Sequence, residues 1–238
     1  MMGITRVFGR VGGLAIRKFL LLVAIPISLF SLSAQAETPF YGAVKGSFSA
    51  SPSGAATYTI PIDVPPGIAG LQPGLALAYN SQGGNGLLGM GWSLAGLSAI
   101  TRCPKTYAQD GVKEGVKLDA TDRYCLGGQR LVVVNGLPYG ASGAEYRTEV
   151  ESFSRITSYG AAADGPGYFV VETKSGRTIE FGNTADSNVN VTIQSSGQLR
   201  TLLWAANKIS DTVGNELTIS YIEEASIGHH RVSRIERL

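Results

Sequence analysis

The chain has 238 residues, 44% of them hydrophobic and 16% charged, with a formal net charge of +2, two cysteines and two histidines. That length suffices for one sizeable core or two small ones. The histidine count leaves little material for metal or histidine-based catalysis.

The first segment reads as a secretory leader. Arg17 and Lys18 precede the apolar run FLLLVAIPISLF, and SLSAQA follows with its small-x-small ending at Ala36. A basic region, a short apolar region and an A-x-A site form a signal peptide, and the run is short of the roughly 20 residues of a membrane helix. Cleavage after Ala36 is expected, leaving residues 37–44 as the start of a secreted, periplasmic or surface protein with no membrane attachment. Arg6, Arg10, Arg17 and Lys18 belong to the leader, which has no acid, so the remainder is slightly acidic. No basic footprint for nucleic acid remains.

Beyond the leader, ATYTIPI and LALAY read as strands. The prolines of DVPPGIAGLQPG between them exclude helix and central strand. GNGLLG at residues 84–89 then satisfies G-x-G-x-x-G, the dinucleotide fingerprint. Such a turn must open into a helix whose N-terminus faces the pyrophosphate. Here MGWSLAGLSAITRCP follows, with glycines that disfavour helix. Gly83, Gly84, Gly86, Gly89 and Gly91 are therefore expected to shape a tight β-turn segment. Trp92 would lead the strand WSLAGLSAITR as a core anchor.

Cys103 and Cys125 are expected to pair in an exported chain, closing a loop of about 20 residues. The loop is polar and glycine-punctuated and reads as an exposed excursion. RLVVVNG is a short strand, and GYFVVETKSGRTIEFGN reads as two strands about Ser175-Gly176. LRTLLWAANKISDTVGNELTISYIEE gives strand, turn and strand, with Trp204 as a second core anchor, and RVSRIERL is a last strand. Short strands with regular turn signals make an all-β, hairpin-rich sandwich, barrel or shell-like scaffold.

Chemical constellations are thin. Adjacent His229 and His230 would face opposite sides of a strand, and a solvated turn is the simpler reading. Ser142 lacks the G-x-S-x-G frame; Glu145, Glu149 and Glu151 read as solvated faces. Asp110, Asp119 and Asp122 lack a calcium-loop pattern. No catalytic residue, cofactor or metal is expected.

AYNSQGGNGLLGMGWSLAGLSAITRCPKT, DRYCLGGQRLVVVNG, GAEYRTEVESFSRITSYG, YFVVETKSGRTIEFG and ISDTVGNELTISY occur in an order that closely resembles the N-terminal domain of the SpvB family. That domain also begins the B components of bacterial insecticidal toxin complexes. The resemblance covers roughly residues 45–238. The tail, from about residue 198, is similar to a YD/RHS unit through Trp204, Ile209, Asp211, Gly214, Asn215 and Tyr221. The leader departs from the best-known members.

The resemblance implies a non-enzymatic part of a β-shell or scaffold, commonly followed by a β-propeller and RHS repeats. Enzymatic chemistry in the family would lie in a separate C-terminal domain. Partners would be other toxin-complex or RHS-type polypeptides, downstream domains, or a host or bacterial surface receptor. The alternative is a secreted glycan- or surface-binding module, which exposed aromatics such as Tyr139 and Tyr159 along one groove would favour.

Overall fold

The computed structural model describes residues 44–160, 165–194, 196–224 and 229–237. The expected leader and its cleavage point at Ala36 lie outside them. β1 (Ser47–Ala50), β2 (Ala56–Pro61), β3 (Ala76–Asn80) and β6 (Trp92–Ala95) form a four-stranded antiparallel sheet in that order. Between β3 and β6, β4 (Asn85–Gly86) pairs with β5 (Gly89–Met90) in a small hairpin.

The single strand expected over WSLAGLSAITR is two strands in two sheets. Gly96 has φ +100°, and a Cβ there would stand 2.1 Å from the Gly74 carbonyl oxygen. No other residue fits that bend. The chain leaves the first sheet at Gly96, and β7 (Ala99–Cys103) begins the larger one.

The larger sheet continues through β8 (Arg123–Leu126), β9 (Gln129–Val133), β10 (Glu145–Thr148), β11 (Arg155–Tyr159), β12 (Tyr168–Glu172) and β13 (Thr178–Phe181), each antiparallel to the last. β14 (Asn188–Thr192), β15 (Leu199–Ser210), β16 (Glu216–Glu224) and β17 (His229–Arg237) complete it. β15 closes the ring: Leu203–Ala205 pair with β7, while Ala206–Ser210 pair with β13. The strands β7 to β13 and β15 thus make a closed eight-stranded barrel, which removes the unpaired edges an open sheet would expose. β14 extends one edge of β15, and the β16–β17 ribbon leaves from the other.

Period-2 alternation fills the barrel. Ile100, Tyr124, Leu131, Tyr146, Ile156, Phe169, Phe181 and Trp204 are buried in one cluster. Trp204 meets Tyr124 and Phe169 edge-on at 5.4 and 5.2 Å, and Tyr139 stacks on Tyr124 at 5.3 Å. At eight strands the interior is just wide enough for such side chains, so the lumen is a packed core. Trp92, expected as a core anchor, stands outside this cluster, half-buried on β6 against Tyr79.

The two expected hairpins share one device. In Thr173–Arg177 and in Asp211–Asn215 the first residue's amide donates to the last residue's carbonyl across three loop residues. The third loop residue is Gly176 (φ +81°) or Gly214 (φ +92°). Three-residue loops with glycine in the left-handed position match the twist of the strands they join. Asp211 adds a clasp: its Oδ1 accepts the Val213 and Asn215 amides, and its Oδ2 accepts Asn215 Nδ2 at 2.6 Å. The Asn215 side chain and these amides hold the Asp211 carboxyl below its ordinary pKa.

Candidate functional site: an ion-paired barrel plug and two surface recesses

The glycine-rich segment is a β-hairpin. Asn85 pairs with Met90 and Gly86 with Gly89, leaving Leu87 and Leu88 at the tip. No helix follows for a phosphate to cap, which removes the nucleotide reading. Gly91 has φ +77°, and a Cβ on it would stand 2.7 Å from both the Asn80 carbonyl oxygen and the Tyr79 ring. A Cβ on Gly83 or Gly86 would stand 3.0 or 2.9 Å from a backbone carbonyl oxygen, whereas Gly84 and Gly89 face open space.

Cys103 and Cys125 form a disulfide. The loop between them is largely exposed, as expected, and ion pairs and amide bonds pin it to the barrel. Its one-turn helix α1 (Tyr107–Asp110) places Asp110 against Arg123, at 2.8 Å, and Arg130. Farther along, Asp122 accepts the amides of Lys117 at 2.8 Å and Leu118 at 2.7 Å. Arg102 lies on the inward face of β7 and bonds Asp122, the Asp119 carbonyl and the Thr201 carbonyl. Its guanidinium stands 5.5 Å from the Trp204 ring and 5.9 Å from the Tyr124 ring. This plug is structural: every group in it answers another, and charge-assisted bonds of this kind fix geometry. Asp119 accepts the amide and hydroxyl of Thr121. Among the described residues no group of acids, histidines and cysteines is placed to hold a metal ion.

The remaining sequence candidates disperse. Ser142 is exposed. Glu145 pairs with Arg147, Glu149 bonds Gln109, and Glu151 accepts the Phe153 amide. His229 and His230 are on strand β17, not in a turn. His230 stacks on Tyr221 at 4.5 Å and bonds the Asp186 carbonyl at 3.0 Å. Tyr221 donates its hydroxyl to the Ala206 carbonyl at 2.7 Å, and burial pushes its pKa up. Tyr139 turns inward: its hydroxyl accepts the Tyr124 amide and donates to the Leu131 carbonyl. Tyr159 stacks on Tyr168. The two tyrosines do not line one groove.

Two recesses were not foreseen. A groove of about 630 Å³ lies among the β4–β5 tip, β6, β15 and β17 and is lined by Leu87, Leu88, Leu94, Leu97, Leu203 and Val232. A second, polar recess of about 310 Å³ lies beside Phe153. The sequence signal for the groove was present in the adjacent leucines of GNGLLG, which an unburied turn does not need.

A filled, closed antiparallel barrel with a strand ribbon is, by its kinship, a toxin-related β-module. Residues 50–237 match the family described as SpvB, Salmonella virulence plasmid 65kDa B protein, and the chain belongs to that family. In structure it is similar to the TcdB2-TccC3 complex, with TM-score 0.63 and 19% identity over 82% of this chain and 10% of that one. The N-terminal domain of effector protein SpvB from Salmonella typhimurium strain LT2 gives TM-score 0.58 and 20% identity, covering 75% of this chain and 63% of that one. The Photorhabdus luminescens Tc holotoxin pore gives 0.59 and 18% over 82% and 10%. The chain spans about a tenth of the toxin-complex chains it resembles. No curated protein matches it in sequence. Among the described residues no helix is long and apolar enough to cross a membrane.

Proposed function

We propose that the chain is an exported, non-enzymatic structural module that contributes to a β-shell or scaffold housing or presenting other toxin parts. One observation carries this reading: the barrel interior is filled, while a leucine-lined groove lies open on the outside. A filled barrel offers no lumen for substrate, and an apolar groove of this size fits a surface that another polypeptide covers. Family membership and the toxin-complex folds support the same role. The partners are other toxin-complex or RHS-type polypeptides or downstream domains. The leader sequence supports export.

The test is the native mass of the secreted chain, alone and together with the product of the next downstream reading frame. A defined complex that buries Leu87 and Leu88 is expected, and both leucines changed to serine should abolish it. A stable monomer indifferent to its neighbour would overturn the scaffold reading.

A further inference from the structure

Phe153 has φ +56°, a left-handed conformation that few residues other than glycine, asparagine and aspartate adopt. Burial does not compensate for it, because the residue is 67% exposed. The turn is nevertheless locked. Glu151 Oε1 accepts the Phe153 amide at 2.6 Å, and the Lys174 ammonium stands 5.3 Å over the ring. A strained backbone that holds an apolar ring out in water works against stability, and such strain gathers at binding sites.

The recess beside the ring explains what it serves. The β10–β11 and β12–β13 loops emerge at the same barrel end, and Arg147, Glu151, Arg155, Glu172 and Thr173 line the space with Phe153. At about 310 Å³ it lies at the small end of ligand-sized cavities. Two guanidinium groups and two carboxylates line it, and the Lys174 ammonium and Glu145 carboxylate stand beside it, so the charges balance. Arg155 already pairs with Glu172, and Arg147 with Glu145. A charged ligand would find no net field. An uncharged polyol would find planar acceptors in the carboxylates and planar donors in the guanidinium groups. Its C–H face would lie on the phenyl ring, as an apolar face requires.

We propose that this recess is a binding subsite for an uncharged hexopyranose ring, with Phe153 as the stacking platform and Arg147, Glu151, Arg155 and Glu172 as hydrogen-bonding groups. The subsite is independent of the scaffold role, since it lies on other loops than the leucine groove.

The experiment titrates the ¹⁵N-labelled full chain with the methyl glycosides of glucose, galactose, mannose and N-acetylglucosamine, and with methyl glucuronide as the anionic arm. The expected result is amide shifts confined to residues 147–155 and 172–174, with millimolar affinity for at least one neutral glycoside. Phe153→Gly removes the ring and suits the backbone, so it should leave thermal stability equal or higher while weakening binding at least tenfold. Phe153→Asn, which also tolerates this φ, is the second ringless variant. No shift from any neutral glycoside, binding of the glucuronide alone, or undiminished binding by the folded ringless variants would overturn the proposal.

Discussion

Arg102 and Asp122 meet inside one end of the barrel at 3.2 Å, with side-chain exposures of 0% and 3%. Their elements are adjacent, since β7 ends and β8 begins at this point, yet the two residues are 20 apart in sequence, across most of the disulfide loop. Asp122 therefore performs two tasks: it organises the backbone of 117–119 through three amides and neutralises a cation held against Trp204 and Tyr124.

Removing one partner of a buried pair strands the other charge away from water, at a cost of about 3–5 kcal/mol. Asp122→Ala is expected to lower the stability of the barrel by about 3 kcal/mol in urea denaturation. Glu172→Ala, at an exposed pair, should cost about 1 kcal/mol or less. Equal midpoints for the two variants would contradict the structural weight given to the plug.

The glycine segment offers a sharper comparison. Gly91→Ala forces a Cβ to 2.7 Å from a carbonyl at a positive φ, so a loss of about 1–3 kcal/mol is expected. Gly84→Ala meets nothing within 4 Å and has no positive φ, and should be neutral or slightly stabilising. Thermal melts of the two variants settle the matter. Equal melting temperatures for the two variants would contradict the close backbone approach at Gly91.

Much of the fold was legible because β-periodicity is local. Phe169 and Val171 alternate with Tyr168 and Val170 in the sequence as they do across the sheet, and DTVGN announced its own turn. Barrel closure was not legible: it depends on β15 being long enough to pair with β7 and β13 in succession, a property of register rather than composition. Trp92 and Trp204 are the same residue type in similar surroundings, yet only Trp204 faces the barrel, because Gly96 diverts the chain between sheets. The plug was hidden because Arg102 follows the inward parity of Ile100, where an apolar residue is the ordinary expectation. Phe153 was hidden for the opposite reason, since nothing in ESFSR announces a positive φ.

The Cys103–Cys125 bond joins residues 22 apart in sequence, and closing such a loop in the unfolded chain is worth about 3 kcal/mol in the chain-entropy model. β7 and β8 already pair Thr101 with Cys125 and Cys103 with Arg123, so the native ladder should survive reduction. Urea midpoints with and without dithiothreitol are expected to differ by that amount, while the far-ultraviolet spectrum stays unchanged. Loss of the β signal on reduction would mean the bond, rather than the barrel, holds this region.

Acid should act on the same loop through its carboxylates. Burial pushes the Asp110 carboxyl up, but the Thr106 amide, Arg123 and Arg130 outweigh it and hold the carboxyl below its ordinary value of 3.8. At Asp119 the hydroxyl and amide of Thr121 do the same. A carboxyl whose folded pKa is depressed adds stability that is fully present above its unfolded value, about 3.9, and is lost as pH falls through the lower folded value. Stability should therefore stay level with respect to these groups from neutral pH to about pH 5 and fall below pH 4. Asp110→Asn should reduce stability at pH 7 and narrow the gap to the parent at pH 3, because the parent's advantage lies in the ionised form. Urea midpoints of both proteins across that range test the point. A gap that stays constant with pH would show that Asp110 acts through its shape and not its charge.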